Sequence, residues 1–192
     1  SQSLLRMVDA LLDLAKVEAG KAAIRLGSFT VASLFSALRG LFRPLFASKP
    51  AVTLVFEDAE GLPPLYSYEM KVTQILRNLI SNAMKFTESG EVRVSAAETA
   101  PGRIAFSVAD TGMGIPPTDL ERIFEEFTQI ENPLQRSRKG TGLGLPLSRK
   151  LAAALGGTLT VQSQVGVGST FVAEIPVCYV PPAEPQTTVQ VV

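Results

Sequence analysis

Histidine is absent from this chain, cysteine occurs once, at Cys178, and no long apolar run is free of charge or proline. Each absence removes a class of chemistry. Without histidine there is no imidazole nucleophile, base or metal ligand, and one cysteine excludes both an internal disulfide framework and a cysteine metal cluster. The longest apolar stretch, VASLFSALRGLFRPLFA, is cut by Arg39, Arg43 and Pro44, so nothing reaches the ~18 uncharged residues of a membrane span. The first residues show no basic-then-apolar leader, and the expectation is a cytosolic protein or the cytosolic piece of a larger one. Net charge is missing too: 18 basic residues balance 18 acidic ones, which gives no broad field for nucleic acid or an acidic membrane. Any phosphate site must be local.

What is present has room for a core, since a chain of 192 residues buries roughly 70% of its unfolded surface. Residues 3–19 repeat Leu4, Val8, Leu11, Leu12 and Ala15 at helical spacing before Gly20 and Lys21 end the run. Little sequence lies beside that helix to cover its apolar face. It either packs on its own domain or, the preferred reading, forms half of a helical hairpin or dimer whose other half lies upstream. A short strand around 24–26, a helix from about Thr30 to Ser48 and the strand VTLVFED follow. Then come a helix over QILRNLISNAMKF, a hairpin of EVRVSAAE and RIAFSVAD around APG, and a glycine-rich region. The helix LPLSRKLAAALGG, with Pro146 near its start, and a hairpin of TLTVQSQ and TFVAEIPV close the pattern. Helices and mostly antiparallel strands in this order predict an α+β two-layer sandwich. The tail PPAEPQTTVQVV reads as a linker.

Four stretches carry candidate chemistry. On a wheel of about 100° per residue, Val72, Ile75, Leu76, Leu79, Ala83 and, at the margin, Ile80 share one side, while Gln74, Asn78, Asn82 and Lys85 share another. A solvated face would more often use Glu–Lys pairs; amide oxygens beside an ammonium suit Mg²⁺ and the phosphates it bridges. In VADTGMGIP, Asp110 ends an alternating strand above Gly112 and Gly114. The spacing alone is a turn, but the carboxylate can accept from an exocyclic amine while the bend admits a flat ring. In KGTGLGLPLSRK, Gly140, Gly142 and Gly144 precede a helix, so free N–H groups and the positive dipole end converge on one spot, an anion site or simply a flexible loop. Neither the Walker pattern nor a Rossmann unit is present. Between the glycine stretches, Thr118 and Glu121 form a capping box that predicts a short helix to about Glu126, presenting Phe124 and Phe127. The basic residues after it, Arg136, Arg138 and Lys139, are phosphate clamps or a solvated charge run.

In this order the stretches QILRNLISNAMKFT, DTGMGI, IFEEFTQ and GTGLGL resemble the N, G1, F and G2 boxes of the sensor histidine kinase ATP-binding domain, supported by GVGSTF. The resemblance spans about residues 28–177, and residues 3–21 look like the second helix of the preceding dimerisation and phosphoacceptor hairpin. It implies a Bergerat-type sandwich holding ATP between the N-box helix and a lid. By position, Asn82 would ligate Mg²⁺, Asn78 would assist at the metal and phosphates, Lys85 would contact phosphate, and Phe86 would line the adenine or sugar region. Asp110 would accept from the adenine amino group, with Gly112, Gly114 and Ile115 shaping the pocket and Thr170 adding a polar contact near Asp110. Phe127, Arg138, Lys139, Gly140, Thr141, Gly142, Leu143, Gly144 and Leu145 would belong to the nucleotide site on the lid side. Gyrase, Hsp90 and MutL place a glutamate where Asn78 stands, as base for water. An amide has no useful basicity, which implies ATP held for transfer to a protein residue. The pattern departs from the family just before the N-box glutamine, where YSYEMKVTQ brings Tyr68 and Lys71.

The resemblance divides the chain into residues 1–21 (dimerisation helix), 22–178 (catalytic ATP-binding domain) and 179–192 (linker). It implies a protein-histidine kinase using ATP and Mg²⁺. Its partners would be upstream dimerisation, phosphoacceptor and sensor domains, a response-regulator receiver domain and a second copy in the full protein, but no nucleic acid. The phosphoacceptor histidine would lie elsewhere. Two alternatives follow from the same residues: a degenerate nucleotide-binding or scaffolding module without catalysis, and a slow ATPase of the gyrase or Hsp90 type.

Overall fold

Alternating apolar residues build the larger layer of the fold in the computed structural model, which describes residues 25–127 and 142–182. The expected helix at 3–19 lies outside the described residues. In chain order the elements are β1 (Gly27–Phe29), α1 (Val31–Ala47), β2 (Val52–Phe56), β3 (Leu65–Ser67), α2 (Glu69–Phe86), β4 (Gly90–Ala100), β5 (Arg103–Asp110), α3 (Gly144–Ala154), β6 (Thr158–Gln164) and β7 (Gly168–Pro176). Five strands form one sheet in the order β2-β4-β5-β7-β6. β2 and β4 run parallel because α2 crosses between them; the other pairs are antiparallel.

Strand parity decides which side chains meet the helices. Ile104, Phe106 and Val108 of β5 face Ile175, Ala173 and Phe171 of β7, and all six are buried. Against this face pack Leu34, Phe35 and Leu38 of α1, Ile75, Leu76 and Leu79 of α2, and Leu147 and Leu151 of α3. The helical period of each sequence therefore supplies the second layer. Thr30 caps α1, its Oγ1 accepting from Ser33 N–H at 3.1 Å. No described helix is long and apolar enough to cross a membrane.

Three local expectations are corrected. The strand expected around 24–26 lies at Gly27–Phe29, paired with β3, a strand the sequence pattern does not announce. Tyr66 of β3 also donates to Val177 O and accepts from Tyr179 N–H, both at 2.8 Å, and the Tyr179 ring meets Tyr68 at 5.0 Å. The start of the expected linker is thus tied to the fold. The helix expected to Glu126 is replaced by two 3-10 turns, Pro117–Asp119 and Arg122–Phe124, without side-chain caps. Burial of the adjacent Ile123 and Phe124, the latter under the Arg149 guanidinium at 4.8 Å, outweighs one local capping pair.

Candidate functional site

α2 buries Val72, Ile75, Leu76, Leu79, Ile80 and Ala83, leaving Gln74, Asn78, Asn82, Lys85 and Phe86 half-buried on its other edge. The Asn78 amide spans two helices. Its Nδ2 donates to Gly144 O at 3.2 Å and to Ser148 Oγ at 3.1 Å on α3, while its Oδ1 accepts from Gln74 Nε2 at 3.1 Å. A carbonyl can only accept, so Gly144 O fixes which end of the amide faces α3. Asn82, one turn on, has its amide engaged by no described residue. Lys85 Nζ lies 4.7 Å over the Phe86 ring. The C-terminus of α2 is held by Lys49, whose Nζ donates to Met84 O at 2.7 Å and Thr87 O at 2.5 Å, placing a cation on the negative end of the helix dipole.

Asp110 occupies the next inward position after Val108, so the parity that fills the core carries a carboxylate to its rim. Burial raises the Asp110 pKa above the ordinary carboxylate value, opposed by the backbone N–H groups of Gly112 and Ser169. Gly112 N–H donates to Oδ1 at 2.8 Å. The loop that follows is threaded between α2 and the β6–β7 turn: Met113 N–H reaches Phe86 O at 3.4 Å and Gly166 N–H reaches Met113 O at 2.8 Å. A Cβ on Gly112 would stand 2.5 Å from Phe86 O, and one on Gly114, whose φ is +73°, would overlap Gln164 O. Backbone packing therefore demands both glycines. Thr170 pairs with Ala109, and it is Ser169 that pairs with Asp110. Alternation sends Thr170 from the opposite face and Ser169 from the face of Asp110. Counting parity back from the buried Phe171 exposes this in the sequence alone.

The second glycine loop returns at Gly142, which has a φ of +70° and accepts from Phe127 N–H at 3.2 Å. Phe127 itself has a left-handed φ of 61° and is 55% exposed. It stands at the root of this loop. Arg138, Lys139, Gly140 and Thr141 lie outside the described residues. α3 begins at Gly144 with no side-chain cap and no acid in its first turn among the described residues. Pro146 has no N–H and Leu147 N–H bonds to Leu143 O at 3.0 Å, so the N–H groups of Gly144 and Leu145 are the ones that mark its positive dipole end. Leu143 is buried, and Ile115 and Leu145 pack against the core, anchoring both loops by apolar contact. Lys150 pairs with Glu126 at 2.7 Å. Thus α2 meets the second loop at Asn78 and the first at Phe86, with Asn82 and Lys85 along the roughly 12 Å between them, at 1.5 Å rise per residue.

The family model described as histidine kinase-, DNA gyrase B-, and HSP90-like ATPase matches residues 67–178. The chain belongs to this ATPase family. Among curated relatives, the autoinducer 2 sensor kinase/phosphatase LuxQ of Vibrio parahaemolyticus is 35% identical over 181 residues, which is 92% of this chain and 21% of LuxQ. The chain therefore spans about a fifth of that relative's length. Full-length ShkA in complex with AMPPNP superposes with a TM-score of 0.76 at 36% identity, covering 95% of this chain and 37% of ShkA. The catalytic domain of histidine kinase ThkA, nucleotide-free, gives a TM-score of 0.69 at 25% identity over 80% of this chain and 97% of that domain. The mixed-sheet α+β sandwich is thus that of the ATPase family's histidine kinase catalytic domains, with ATP as the family's substrate.

Proposed function

We propose that this ATPase-family chain is the ATP-binding catalytic domain of a two-component sensor histidine kinase. The γ-phosphoryl group leaves the bridging oxygen of ADP and joins a nitrogen of a histidine supplied by another segment, for relay to an aspartate of a response-regulator receiver domain. The observation that carries this reading is the Asn78 amide, whose N–H groups are committed to Gly144 O and Ser148 Oγ. The group where a hydrolase would hold its base is a strut between the two nucleotide-facing helices and cannot take a proton from water.

Asp110 accepts the exocyclic amine of adenine at the core rim. Gly112, Gly114 and Ile115 form the floor of the base site, and Phe86 flanks it. The uncapped start of α3, with Gly142 and Gly144, takes phosphate oxygens, and Lys85, Arg138 and Lys139 add charge there. No group of three acidic, histidine or cysteine side chains among the described residues forms a metal cage. The donor set that fits Mg²⁺ is instead an amide oxygen with phosphates and waters. Asn82, engaged by no described residue, would hold the ion. When bound, Mg²⁺ offsets charge on the β- and γ-phosphates. On this reading residues 1–21 are a dimerisation helix and 22–178 the catalytic domain, to which Tyr179 is still tied, and the linker follows it. The full protein is a cytoplasmic-facing homodimer with upstream phosphoacceptor and sensor domains.

The test is Asn82→Ala in the histidine-bearing full-length kinase. Autophosphorylation is expected to vanish together with Mg²⁺-dependent nucleotide binding; a normal rate removes Asn82 from the site.

A further inference from the structure

The Ser163 hydroxyl, on β6, joins three backbone segments beside Asp110. Its Oγ accepts from Ile115 N–H at 2.8 Å, donates to Gly168 O at 3.0 Å and lies 2.9 Å from Ser169 Oγ. A hydroxyl has one proton and two lone pairs. Gly168 O can only accept, so the Ser163 proton points there, and the Ile115 N–H takes one lone pair. Ser169 must then donate to the other. That order of protons leaves Ser169 Oγ with acceptor capacity only, on the face of the sheet that carries Asp110. The same seam is closed by Gly166 N–H on Met113 O at 2.8 Å and by the close approach of Gly114 to Gln164 O.

We propose that Ser163 is a positioning residue for base recognition. Through Ile115 N–H it fixes the loop 111–115 against the β6–β7 hairpin, and through Ser169 it sets an acceptor-only surface next to Asp110. The inference rests on the reading of Asp110 as the adenine acceptor. A base that offers an exocyclic amine at this place meets acceptors. One that offers a carbonyl meets like partial charges and no donor. Without the Ser163 hydroxyl, Ile115 N–H loses its partner and the Ser169 proton is free to turn toward Asp110, so loop placement and acceptor surface fail together.

Ser163→Ala and Ser163→Thr in the intact chain provide the test, with two readouts. In the absence of nucleotide, amide exchange at Ile115 is expected to accelerate in Ser163→Ala and to stay at the wild-type rate in Ser163→Thr. In calorimetric titrations with Mg²⁺ and non-hydrolysable analogues of ATP and GTP, Ser163→Ala is expected to weaken the adenine analogue about tenfold, as for loss of a buried hydrogen bond. Its preference over the guanine analogue should narrow, and Ser163→Thr should retain both. Wild-type exchange and affinity in Ser163→Ala overturn the proposal. So does an equal loss for both nucleotides that Thr does not rescue, since that marks general loosening. A wild-type chain that binds neither analogue overturns the adenine reading itself, whereas normal binding by Ser163→Ala alongside a binding wild type overturns only the role of Ser163.

Discussion

Replacing Asp110 by asparagine should move affinity and stability in opposite directions. The substitution is nearly isosteric, and the oxygen of the new amide can keep the 2.8 Å bond from Gly112 N–H. What changes is the outward atom, an acceptor in the carboxylate and a donor in the amide. A hydrogen bond to a charged group contributes about 1.5–3 kcal/mol, and each ~1.4 kcal/mol is tenfold in Kd. ATP-analogue affinity should therefore fall about ten- to a hundredfold. In the nucleotide-free protein the sign reverses. Burial raises the Asp110 pKa from its ordinary 3.8, so the folded state binds the proton more tightly than the unfolded chain. The ionised group is then a penalty on folding, absent below the unfolded value and fully present once pH exceeds the folded one. Asp110→Asn should melt above wild type at neutral pH, and the gap should close as pH falls toward 3.8. Calorimetric titration measures the first effect and melting across a pH series the second. Wild-type affinity in the variant refutes the adenine assignment, and a melting difference that does not vary with pH refutes the burial argument.

Other perturbations separate the roles of the two loops and the strut. Asn78→Ala leaves the Ser148 hydroxyl, on a side chain that is 0% exposed, without its amide partner, and should cost about 1–3 kcal/mol in urea unfolding. Gly114→Ala should lower the melting temperature and nucleotide affinity together, because its φ of +73° and the nearby Gln164 O both oppose a side chain. Gly144→Ala is the contrast: its Cβ would meet Asn78 Cγ at 3.8 Å, an ordinary contact, and melting should stay close to wild type.

The parts of this structure legible in the sequence are those where local period and burial coincide. The apolar side of α2 follows from spacing alone, since 3.6-residue recurrence selects the residues that sit on the sheet. The two hairpins are equally plain, because alternation and turn residues mark both ends. What spacing does not carry is pairing at a distance. β3 has only the residues Leu65–Ser67 and exists through its partners in β1 and the segment after β7. The engagement of Asn78 joins residues 66 and 70 positions apart, so the polar stripe announces a site without revealing that its first amide is a strut. Ser169 is reachable by parity from Asp110 and Phe171. Ser163 is harder: its partner Ile115 lies 48 positions away, in a loop with no period of its own.

The central claim is that this chain binds ATP with Mg²⁺ and holds it intact for transfer. Titrating the purified chain with MgATP in a calorimeter, while assaying released phosphate in the same sample, tests both halves at once. One-to-one saturable binding that weakens without Mg²⁺, with only a trace of phosphate released, is the predicted result. Absence of binding heat, or phosphate release that keeps pace with added ATP, contradicts it.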